Sequence, residues 1–144
     1  MLKLAALLLA AVTLPLPQSG REHVGLAATL EHGAGGERDV VVRFMPLLPS
    51  VHVNAEPAPR LALDPEQRLL RESPRTAPPA TRLAFPHGRY LDTRVGVRFP
   101  ARVVPGAKAG RHTLRGTLTY FYCSVTEGWC RRAQDEVEIE ASLP

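Results

Sequence analysis

The chain has 144 residues, 44% of them hydrophobic and 22% charged, with a formal net charge of +4. That balance suits one domain with a single modest core. Arginine dominates the basic residues, but acids such as Glu136, Glu138 and Glu140 are interspersed. Without a basic stripe, no nucleic-acid partner is expected.

Met1-Leu-Lys3 supplies a short positive region, and Leu4 to Leu14 is apolar apart from Thr13. Pro15 to Gly20 then breaks any helix. A run this short does not span a bilayer and fits a secretory signal over residues 1–20. No small-x-small alanine motif marks the cut, which is expected near Ser19 or Gly20. No cysteine follows the run, so a lipoprotein is not expected, and the mature domain is residues 21–144. Export implies a periplasmic or secreted protein whose two cysteines tend to pair.

Beyond the leader, 14 prolines and 11 glycines punctuate short runs of Val, Leu, Thr and Tyr, a pattern that predicts an all-β fold. A first strand is expected over His23–Leu30, then a turn at His32 to Gly36. That glycine cluster lacks the Lys-Ser/Thr of a phosphate loop. Arg38–Leu47 alternates, with Val40, Val42 and Phe44 on one face and Arg43 on the other. Val51–Ala55 and Leu61–Leu63 are short strands. Residues 64–80 form a polar, proline-rich surface connection with one turn of helix at Pro65–Leu70. Thr81–Phe85 leads into a turn at Pro86 to Gly88. Tyr90–Pro100 alternates again, with Val95, Val97 and Phe99 on one face, and Pro105 to Gly110 is a loop. The last strands, Arg111–Cys123 and Cys130–Leu143, flank a turn over Ser124–Trp129. Strands at this spacing predict an immunoglobulin-like β-sandwich, with an irregular barrel as the alternative.

Parity places the cysteines. In the last strand Val137, Ile139, Ala141 and Leu143 share the core face, and Cys130 falls with the polar even positions. In the preceding strand Leu114, Leu118, Tyr120 and Tyr122 face inward, and Cys123 falls with Arg115, Thr117, Thr119 and Phe121. Setting Cys123 opposite Cys130 also sets Arg115 opposite Glu138, Thr117 opposite Glu136 and Leu114 opposite Ile139, all favourable cross-strand pairs. Facing residues lie roughly 4.5–5.5 Å apart at Cα, which suits a disulfide. The C-terminal hairpin is therefore expected to carry an accessible outer-face disulfide. Closing so short a loop contributes only about 2–3 kcal/mol. Phe121 and Trp129 flank it, and Arg131 and Arg132 are near enough in sequence to stabilise a thiolate.

Several segments resemble the N-terminal domain of the DsbD thiol:disulfide interchange family. These are Pro49-Ser-Val-His-Val-Asn-Ala-Glu-Pro57, Tyr90-Leu-Asp92 ahead of a strand ending Phe99-Pro100, and Leu118-Thr-Tyr-Phe-Tyr-Cys123 with Cys130 closing the turn. The resemblance covers roughly residues 23–143. It implies an immunoglobulin-like fold in the periplasm and makes Cys123 and Cys130 the catalytic exchanging pair. The partners implied are thioredoxin-like exported proteins, with a membrane thiol reductase, here a separate polypeptide, as electron donor. The family shields its disulfide with an aromatic-bearing cap loop. Phe85-Pro-His-Gly88 is the nearest match, and Phe85 is the candidate shield. The spacing departs from the family, with six residues between the cysteines instead of the usual five. The acidic residues common near that cap are also missing.

The alternative function is a secreted immunoglobulin-like binding module whose disulfide only fixes the hairpin. Five histidines (His23, His32, His52, His87 and His112) show no ligand spacing, so no metal or other cofactor is expected. His52 and Asn54 share a strand face and read as hydrogen-bonded structural residues. No Gly-x-Ser-x-Gly elbow supports a hydrolase. The protein is expected to be a monomer.

Overall fold

Alternating apolar residues drive eight strands, described by a computed structural model that covers Leu16 and residues 18–144. Most of the expected leader, residues 1–15 and 17, lies outside the described residues. The strands are β1 (Val24–His32), β2 (Arg38–Pro46), β3 (Val51–Val53), β4 (Arg60–Leu63), β5 (Leu70–Glu72), β6 (Val97–Val103), β7 (Gly110–Ser124) and β8 (Trp129–Leu143). A single 3-10 turn at Ala34–Gly36 joins β1 to β2. The helical turn expected over Pro65–Leu70 is absent. Asp64 accepts instead from the backbone N–H of Glu66 at 2.9 Å, and the chain enters β5, a strand the sequence pattern did not reveal. The strand expected to begin at Tyr90 begins only at Val97. Residues 90–96 form bridges and turns, and Val95 is exposed.

The strands join in one mixed sheet ordered β3-β7-β8-β1-β2-β6-β5, with β4 also on the β7 edge. Every pairing is antiparallel except β1 with β8, which touch in parallel through only Ala28–Ile139 and Thr29–Glu140. Val40, Val42, Phe44, Leu114, Leu118, Tyr120, Tyr122, Val137 and Ile139 pack into one core, so the inward parity expected for β2, β7 and β8 holds. Phe44 meets Tyr120 edge-on at 5.3 Å between ring centroids, a favourable aromatic geometry. Among the described residues no helix is long and apolar enough to cross a membrane.

The proline-rich connection is pinned rather than free. Arg75 reaches from it to Asp39 at 2.5 Å and to Glu37 at 3.2 Å, and Arg98 of β6 meets Asp39 from the other side at 3.2 Å. Asp39 is thus a buried carboxylate held between two guanidinium groups, the pairing that burial demands. Glu37 accepts from the Ser73 hydroxyl at 2.6 Å and from Arg102 at 2.9 Å. The Ser73 hydrogen bond, then that from Arg102, lowers its carboxyl from the ordinary 4.5 to about 2. A depressed carboxylate contributes stability that is complete above 4.5 and is lost as pH falls towards 2. The urea midpoint of the wild type should therefore decline over that window more steeply than that of Glu37→Gln. Parallel pH profiles would refute this role for Glu37.

Candidate functional site

The β7–β8 hairpin has the register that parity demands: Leu114–Ile139, Arg115–Glu138, Thr117–Glu136 and Cys123–Cys130 are facing pairs. Strand pairing continues one residue past the cysteines to Ser124–Trp129, so the turn holds only Val125–Gly128 instead of the six residues expected. Gly128 closes it with φ of 72°, a left-handed conformation that favours glycine, while its N–H donates to Ser124 O at 2.9 Å. Cys123 and Cys130 are disulfide-bonded, with Cα atoms 4.0 Å apart.

The two sulfurs have unequal surroundings. Cys130 is exposed, as expected, but Cys123 is only 5% exposed. Parity placed Cys123 on the correct face and missed what covers that face. Strand β3 adds to the free edge of β7 with His52 opposite Cys123, and the backbone N–H of Asn54 donates to Phe121 O at 2.8 Å. His52, Asn54, Phe121, Cys123, Cys130 and Arg132 therefore share one surface across three strands. Asn54 turns its side chain onto the disulfide, with Oδ1 3.2 Å from Cys123 Sγ. A disulfide sulfur carries no proton to donate, so this is a close contact in the oxidised form. After reduction the same amide can accept from the thiol or present Nδ2–H to a thiolate. Asn54 is thus the site residue that sequence reasoning set aside. Its signal was the shared face with His52, uninformative until β3 is known to pair with β7.

The loop before Tyr90 does approach the site, through residues other than the one expected. Tyr90, buried, stacks on His52 at 4.8 Å, and His87 lies parallel to His52 at 6.5 Å. Phe85 is 95% exposed and shields nothing. The difference follows from pairing: Asn54 bridges Tyr90 and Arg82 bridges Leu91, so these contacts hold the loop ends while residues 84–86 are exposed. Burial, then the charge of His87, lowers the pKa of His52, which keeps its imidazole neutral at neutral pH.

Phe121 is half-buried on the cysteine face, opposite Arg132. Trp129 lies on the other face of the hairpin. Its ring meets Tyr122 at 5.6 Å and His23 at 5.1 Å, both edge-on, and its indole N–H donates to Glu127. Arg131 stacks over that ring at 4.1 Å. Of the two arginines, only Arg132 shares the face of Cys130. Among the described residues no cluster of His, Cys, Asp or Glu is arranged to hold a metal ion. No family model, no curated protein and no solved structure matches the chain.

Proposed function

We propose that the protein is an exported thiol–disulfide exchange domain of immunoglobulin-like fold, working through Cys123 and Cys130. The observation that carries this reading is the asymmetry of the pair: one sulfur open to a partner, the other buried against an amide able to receive it. In the reductive direction the Cys130 thiolate attacks the disulfide of a thioredoxin-like partner. A mixed disulfide forms and one partner thiolate leaves. The Cys123 thiolate then attacks Cys130 Sγ, re-forms the intramolecular bond and releases the second partner thiolate, so two electrons have passed. A membrane thiol reductase restores the dithiol by the reverse exchange. Arg132 on the Cys130 face and an amide N–H of Asn54 at Cys123 favour the two thiolates. The parallel β1–β8 junction of two residue pairs separates two antiparallel runs, which supports the sandwich form of the sheet. A disulfide and a leader-like N-terminus support an extracytoplasmic, periplasmic setting.

The competing reading, a binding module with a passive staple, is favoured by the burial of Cys123. Equilibration with a dithiol buffer separates the two. Exchange predicts a reduction potential above about −300 mV, and a value far below that marks a structural bond. Asn54→Ala should make the potential more negative by about 30 mV, equivalent to about 1.4 kcal/mol of lost thiolate hydrogen bonding. An unchanged potential would remove Asn54 from the mechanism while leaving the exchange reading to the wild-type value.

A further inference from the structure

Residues 18–21 are built into the domain ahead of β1. The N–H of Gln134 donates to Gln18 O at 2.8 Å, covering the part of the β8 edge that lies beyond its short pairing with β1. One residue along, Asp135 interrupts the apolar inner face of β8 between Ala133 and Val137 and is 4% exposed. Three donors satisfy its carboxylate: the Ser19 hydroxyl at 2.5 Å, the Gly20 N–H at 3.0 Å and the Tyr120 hydroxyl at 2.9 Å. Arg21 lies beside it, Nε 3.8 Å from Oδ1, and donates to the Glu136 carbonyl. Gly20 is buried, and a Cβ there would overlap the Tyr120 hydroxyl. Its own carbonyl accepts from His23 and Val24 at 2.9 Å each, which turns the chain into β1.

Two of the three donors to a buried carboxylate thus come from residues that a cut after Gly20 would remove. A cut after Ser19 would still remove the serine hydroxyl and the Gln18 carbonyl. Burying a carboxylate without its partners is unfavourable enough that the fold depends on this segment. We propose that leader removal occurs upstream of Gln18, leaving Gln18-Ser19-Gly20-Arg21 as an integral anchor of the mature domain. With no small-x-small alanine motif to fix the bond, the cut is expected where the apolar run ends, between Thr13 and Gln18. The inference rests on the export reading of the N-terminus and is independent of thiol exchange.

The test is to express the full chain with its own leader in a Gram-negative host, recover the periplasmic protein, and determine its intact mass and N-terminal sequence. An N-terminus anywhere from Leu14 to Gln18 supports the proposal. Any other start, an uncut leader with or without Met1 included, overturns it. In parallel, chains beginning at Leu14 and at Arg21 are compared by thermal unfolding. The shorter should melt lower by about 5 °C or more, or fail to fold. Equal melting temperatures would also overturn it.

Discussion

Reduced protein carrying Cys123→Ser should capture an oxidised thioredoxin-like domain as a stable mixed disulfide through Cys130, whereas Cys130→Ser should capture almost none. Cys130 is exposed near the tip of the hairpin, so an incoming disulfide can align with its sulfur. Without Cys123 there is no resolving thiolate, and the mixed species accumulates. Cys123 is covered by β3 and by Asn54 just after it, which touches its sulfur, and reaches a partner only after local opening. An opening free energy of even about 1.4 kcal/mol slows its reaction about tenfold. Non-reducing gels and intact mass would read the capture, and maleimide labelling of the two single-cysteine variants gives the rates separately. Equal capture by both variants, or faster labelling of Cys123, would sink the assignment of Cys130 as the sulfur that meets the partner.

Asp135→Ala should be among the most destabilising single substitutions in the domain, at about 3 kcal/mol in urea unfolding. It orphans the Tyr120 hydroxyl and the Gly20 N–H, both buried, and frees Ser19 and Arg21. Burial, and after it the hydrogen bond to Asp135, raises the pKa of Tyr120, so the phenol stays protonated and donates across the physiological range. Tyr120→Phe removes one donor and leaves the carboxylate with Ser19 and Gly20, so its cost should be smaller, about 1 kcal/mol. The pair should be non-additive, because both changes break the same hydrogen bond. A double mutant as unstable as the sum of the singles would argue against a shared network.

The hairpin was legible because its information is local. Alternation in β8 assigns Val137, Ile139, Ala141 and Leu143 to the core, and setting Cys123 opposite Cys130 gives a register that also matches Leu114 with Ile139 and Arg115 with Glu138. Parity has a blind spot at Asp135, which shares the core phase yet carries a charge. Its burial becomes tolerable when donors more than a hundred residues away in sequence, Ser19 and Gly20, join the Tyr120 hydroxyl of the neighbouring strand. Strand β5 escaped because Leu70–Glu72 has one apolar residue followed by two charged ones, so no alternation registers. The same limit applied at Phe85, where an aromatic in a loop carries no signal of which way it points.

Residue order alone pointed to an all-β chain through its proline and glycine punctuation, and to the inward faces of β2, β7 and β8 through their two-residue period; a facing Cys123 and Cys130 was the register consistent with both. Tertiary structure decided what lies on top of those faces. Strand β3 on the edge of β7, with Tyr90 packed behind it, buries Cys123 and leaves Cys130 open. The physical reason is that a strand's own sequence specifies which side each residue takes, while accessibility depends on segments brought there by pairing across long loops.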